Sequence, residues 1–82
     1  MNEYEVFSPL PGIFYRQPAP DMPCFVEVGD KVLEHTVIGL IEVMKQFTEV
    51  YADQSGQLKE FQVCNGEAIE PGQMIAIIKI DS

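Results

Sequence analysis

Basic residues are scarce in this 82-residue chain: five Lys and Arg stand against 13 Asp and Glu, for a net charge of -8. Arg16, Lys31, Lys45, Lys59 and Lys79 are scattered, so no basic face for nucleic acid can form. Tryptophan is absent, and there is one histidine and two cysteines. Cys24 and Cys64 belong to no CxxC or Cys/His cluster, so a metal site has almost no support. They read as reduced, small, semi-buried residues rather than a disulfide. His35 has no nucleophile or carboxylate motif beside it and is not read as a catalytic base. The longest apolar stretches run to about six to eight residues, well short of the ~20 that span a bilayer as a helix. Met1-Asn2-Glu3-Tyr4-Glu5 has neither a basic n-region nor an apolar h-region, so a cytoplasmic address is expected. No paired catalytic carboxylates, nucleophile–base pair or phosphate-binding glycine loop is present, and the chain is read as non-enzymatic.

Helical periodicity is weak throughout. What is present is a series of short β-branched and aromatic runs punctuated by Gly, Pro, Asn and Asp. Candidate strands are Tyr4–Phe7, Gly12–Tyr15, Cys24–Val26, Val37–Val43, Thr48–Ala52, Gly56–Val63 and Met74–Ile80. The pattern predicts an all-β sandwich or barrel. At this length the 82 residues are expected to make a single domain, 1–82.

The chain repeats itself once. Gly29-Asp30-Lys31-Val32 overlays Gly66-Glu67-Ala68-Ile69 at an offset of 37, and Val37–Val43 then falls on Met74–Ile80. Val6–Phe14 overlays Val50–Leu58 at an offset of 44. Two such halves, related by a pseudo-twofold axis, would bury one common core that neither could bury alone. The offsets differ by seven, so the first half carries about seven extra residues between Tyr15 and Gly29. The surplus lies in Arg16–Cys24, where Pro18, Pro20 and Pro23 remove backbone donors and fix φ. That segment reads as a stiff protruding loop, either a neutral insertion or a loop that touches whatever sits at the nearby tip.

The repeat also positions Lys45. Met44-Lys45-Gln46-Phe47 is a hairpin-length connection between two strands. Its symmetry mate is where the two termini should lie, at the opposite end of the domain. His35 corresponds to Gly72, and is expected to be a turn residue strained toward positive φ.

Glu42-Val43-Met44-Lys45 resembles the Glu-Ala-Met-Lys signature of the biotinyl/lipoyl attachment domains. Asp53-Gln54-Ser55-Gly56 resembles that family's Ala-Asp-x-Ser-Gly turn. Gly12-Ile13-Phe14-Tyr15-Arg16, with Pro18-Ala19-Pro20-Asp21, is similar to the Gly-Thr-Phe-Tyr-x-x-Pro-x-Pro-Asp segment of the biotin carboxyl carriers of bacterial and plastid acetyl-CoA carboxylase. In those carriers a "thumb" follows, and the seven-residue surplus falls there. The resemblance covers about Phe7 to Ile80. It departs at Gln46, where a large apolar residue is usual, and at Val43, where the family has Ala. The N-terminal segment and Pro/Ala-rich linker of full-length carriers are not in this chain, which fits a minimal carrier or a cut-down domain.

The resemblance implies a flattened β-barrel or sandwich of two four-stranded antiparallel sheets, a barrel-sandwich hybrid. It implies biotin on Lys45, with Glu42, Met44 and Gln46 in the tip segment that the ligase reads. The thumb, about residues 16–24 and including Arg16, Pro18, Pro20 and Asp21, would pack beside the biotin. The implied role is a swinging-arm carrier between a biotin carboxylase and a carboxyltransferase, loaded by a biotin protein ligase. The acceptor implied is acetyl-CoA, in fatty-acid synthesis. No nucleic-acid or membrane partner is expected. Two alternatives stay open: a lipoyl carrier domain of a 2-oxoacid dehydrogenase-type complex, which shares the fold, and an unmodified β-sandwich interaction module.

Overall fold

The computed structural model describes residues 2–80. Its eight strands are β1 Glu3–Phe7, β2 Gly12–Tyr15, β3 Lys31–Val32, β4 Val37–Val43, β5 Gln46–Tyr51, β6 Gly56–Phe61, β7 Glu67–Ile69 and β8 Met74–Ile80. They form two four-stranded sheets, ordered β1-β8-β6-β3 and β5-β4-β2-β7, with every pairing antiparallel. The expected all-β sandwich of two sheets is therefore present. The repeat maps one sheet onto the other strand for strand: β1 on β5, β8 on β4, β6 on β2, β3 on β7.

The core obeys the same symmetry. Its buried side chains pair as Val6/Val50, Phe14/Leu58, Val26/Val63, Val32/Ile69, Ile38/Ile75 and Ile41/Ile78. Ala52 and Ala76 complete it; their mates are Ser8 and Gly39, both buried. Ser8 tolerates burial because its hydroxyl donates to the Leu10 carbonyl. Two of the β-bulges are symmetric as well. Pairing skips Ile38 between β4 and β5, and skips Ile75 between β8 and β1. Each bulge resets the strand's alternation, so that Ile38 and Ile41, like Ile75 and Ile78, all face inward although they lie three apart.

Volume is shared differently in the two halves. A Cβ on Gly39 would come within 2.5 Å of the Phe14 ring. At the equivalent place in the other half the smaller Leu58 leaves room for Ala76. Large opposite small is kept as a sum, not residue by residue.

Three sequence expectations are corrected. Cys24–Val26 is not a strand; only Val26 is fully buried there, and the segment is the return limb of the thumb. Lys31–Val32 and Glu67–Ile69, absent from the candidate strands, are short strands. His35 does not have positive φ. The turns at Leu33–Thr36 and Glu70–Gln73 share their hydrogen bonds, Thr36 N–H to Leu33 and Gln73 N–H to Glu70. Pro71-Gly72, with Gly72 at φ 83°, fits a type II turn, whereas Glu34-His35 closes the same bend without a left-handed residue.

The termini run out along β1 and β8, which pair from Glu3↔Lys79 onward. This is the symmetry mate of the β4–β5 hairpin. Met1, Asp81 and Ser82 lie outside the described residues.

Candidate functional site

The β4–β5 connection is shorter than the expected four residues. Val43 pairs with Gln46, leaving Met44 and Lys45 as a two-residue turn. Both central residues have positive φ, 52° and 67°, the signature of a type I′ turn. Asn-Gly is the usual occupant because side chains resist this region; Met-Lys occupies it here at a cost. The result is a rigid tip. Met44 is 91% exposed and Lys45 is exposed. Among the described residues, ion pairs join Arg16–Glu27 and Lys59–Glu3, His35 stands 4.0 Å from Glu34, and none of these contacts takes up Lys45.

Strand alternation sends the flanking residues to two faces. Glu42 and Phe47 pair across the hairpin on the outer face of the sheet. Val43, Gln46 and Thr48 face the other way and, with Met44, Leu10 and Pro11, border an open notch.

The thumb leaves β2 at Arg16 and rejoins the sandwich at Phe25, whose N–H donates to the Arg16 carbonyl at 2.9 Å. Within it, Met22 N–H donates to Ala19 C=O, and the Gln17 amide donates to the carbonyls of Ala19 and Pro20 at 2.8 Å each. Between the thumb and the outer face of the sheet is a cavity of about 260 Å³. Its walls are Pro18, Ala19 and Pro20 from the thumb, Tyr15, Glu42 and Phe47 from the sheet, and Gln17 and Asn65. Tyr15 and Phe47 tilt against one another with ring centroids 6.4 Å apart. The Glu42 carboxylate beside the Tyr15 hydroxyl raises its pKa above the ordinary 10.0.

Of the sequence-predicted residues, Lys45 and Met44 are at the turn, Glu42, Pro18 and Pro20 line the cavity, and Gln46 borders the notch on the other side. Asp21 is exposed on the thumb, outside the cavity wall. Arg16 is at the thumb's base. Sequence reasoning missed Tyr15, Phe47 and Asn65. A two-residue turn would have revealed Phe47, because it forces Glu42 opposite Phe47. Asn65 carries no such signal; it is brought in by accepting the Arg16 N–H at 2.7 Å across 49 residues of chain.

A projecting amine on a tight hairpin, two residues from Phe47 in the wall of a cavity half lined by aromatic rings and prolines, suits a small covalently tethered group. Comparison with known proteins agrees. A family model described as "Biotin-requiring enzyme" matches residues 4–78. The chain is 48% identical over 77 residues to the biotin carboxyl carrier protein of acetyl-CoA carboxylase from Nostoc sp., covering 94% of this chain and 42% of that one. It is 42% identical over 72 residues to the chloroplastic protein of the same name from Glycine max, covering 88% of this chain and 28% of that one. The chain thus spans less than half the length of either relative. Among solved structures, Kluyveromyces lactis urea carboxylase superposes with a TM-score of 0.78 at 28% identity, over 96% of this chain and 6% of that one. By sequence over nearly its whole described length, and by fold, the chain belongs to the biotin/lipoyl attachment family of biotin-requiring enzymes.

Proposed function

We propose that the chain is a biotin carboxyl carrier domain and that biotin is attached through an amide to Lys45. The observation that carries this reading is the two-residue turn: it accepts backbone strain to hold at an exposed tip a lysine that no salt bridge among the described residues takes up, where a surface charge would need no such frame. Met44, with its side chain in solvent, and Gln46 flank the amine as the segment a biotin protein ligase reads. Amide formation removes the lysine charge, which suits a group that enters apolar pockets.

Biotin, when bound, supplies a ureido nitrogen that carries CO2. The chain's own residues position it. The hairpin fixes the base of the arm, and the lysine side chain gives reach. The thumb cavity offers a resting place in which Pro18, Pro20, Tyr15 and Phe47 give apolar contact while Glu42 and Asn65 give polar edges. The relatives named above support service between a biotin carboxylase and a carboxyltransferase of acetyl-CoA carboxylase, in fatty-acid synthesis. The domain then acts by position and effective concentration, without catalytic groups of its own. A cytoplasmic or plastid-stromal type of setting follows from that partnership, and the cytoplasm is the address we favour. Among the described residues no helix is long and apolar enough to cross a membrane.

Incubation with a biotin protein ligase, ATP and biotin tests the reading. A mass gain of about 226 Da is expected for biotin amide, against about 188 Da for a lipoyl group. No gain with ligase, or a lipoyl gain with a lipoate ligase alone, contradicts it.

A further inference from the structure

We propose that Arg16 is a positioning residue that sets the pose of the thumb over its cavity, by stacking on Phe61 of the opposite sheet. The Arg16 guanidinium carbon is 4.3 Å from the centre of the Phe61 ring. Its Nη2 reaches the Val26 carbonyl at 3.5 Å and the Glu27 carboxylate at 3.4 Å. Arg16 is the first residue of the thumb's outgoing limb, and Val26 and Glu27 follow directly where its return limb rejoins the sandwich. One side chain therefore joins both limbs to β6 and, through the Phe61–Phe14 ring contact at 6.0 Å, to the centre of the core.

The backbone of Arg16 is tied as tightly as its side chain. Its N–H donates to Asn65, its carbonyl accepts from Phe25, and Asn65 is itself a wall of the cavity. By contrast, the bonds inside the thumb, from Gln17 and Met22, reach only thumb carbonyls. They hold the thumb's shape and leave its orientation to the base. The guanidinium is bound to that base at a cost. Its Nε is the buried side-chain polar atom left without a partner among the described residues. With the guanidinium held over the Phe61 ring, Nε is buried without an acceptor, so the ring contact is kept at the expense of full hydrogen-bond satisfaction. Lysine cannot reproduce this: it has neither the planar face nor the fork. The equivalent position of the other half is Glu60, in a half with no thumb to hold.

The test uses the unmodified chain, so its outcome does not depend on whether Lys45 accepts biotin; only the consequence for the bound cofactor rests on that reading. Amide hydrogen exchange is followed at Phe25, and 15N relaxation over Gln17–Met22, in R16Q, R16K, F61L and F61Y. R16Q, R16K and F61L should each speed exchange at Phe25 about tenfold and lower the order of the thumb. Exchange at Ile41 and Ile78 should stay at the wild-type rate, and F61Y, which keeps the ring, should behave as wild type. The R16Q/F61L double variant should be no worse than either single change. Wild-type exchange in R16Q and F61L, wild-type behaviour of R16K, or equal acceleration at Ile41 and Ile78 would overturn the proposal.

Discussion

Replacing Met44-Lys45 with Asn-Gly should make this protein more stable while removing the residue on which its proposed function depends. Both turn residues are left-handed, at φ 52° and 67°. A side chain in that region costs about 1–2 kcal/mol per residue relative to glycine or a tolerant asparagine. Relief at the lysine is partly offset, because glycine adds about 0.4–1 kcal/mol of unfolded-chain freedom to be lost on folding. Met44 makes no offsetting core contact, being 91% exposed, so nothing in packing is lost with it. The net gain for M44N/K45G is about 1 kcal/mol, which for a domain this small raises Tm by about 4–8 °C. Thermal and urea denaturation followed by circular dichroism would read it, with an unchanged urea slope showing that the fold is the same. An unchanged or lowered Tm would refute the claim that this turn holds strain, and with it the argument that the lysine is held there for a purpose.

Further outcomes follow from the same geometry. G39A should destabilise by about 1–3 kcal/mol through overpacking, since its Cβ would press on the Phe14 ring. F14L/G39A, which copies the Leu58/Ala76 arrangement of the other half, should recover much of that loss in the same denaturation assay. Glu42 raises the pKa of Tyr15, and Glu49, hydrogen-bonded to the Tyr51 hydroxyl, raises that of Tyr51. These contacts add stability that is complete below the ordinary tyrosine pKa of 10.0 and is lost as pH rises through the raised values. Ultraviolet titration of tyrosinate should therefore show E42Q and E49Q each bringing one tyrosine to a lower pKa.

The repeat made the fold legible because burial acts on equivalent positions in the same way. The two offsets pair Val6 with Val50 and Ile41 with Ile78 by residue order alone, and those residues form the core. The same offsets located the thumb by subtraction. Strands β3 and β7 escaped notice because two or three residues cannot display an alternation, and their neighbours supply the pairing. His35 was misjudged because a four-residue turn can close with or without a left-handed residue, and the Gly72 mate disclosed only one of the two ways. At the site, the lysine and the proline loop were readable as motifs. The cavity beside them was not, because Asn65 is brought to its wall by a contact between the halves rather than along the chain.

The central claim is that Lys45 alone is built to carry the cofactor. Lys31, Lys59 and Lys79 are also exposed, but each is in a strand rather than on a turn. After exposure to a biotin protein ligase, peptide sequencing by tandem mass spectrometry should place a single addition of about 226 Da on Lys45 and none on the K45R chain. An addition on Lys31, Lys59 or Lys79, or undiminished labelling of K45R, would contradict the account.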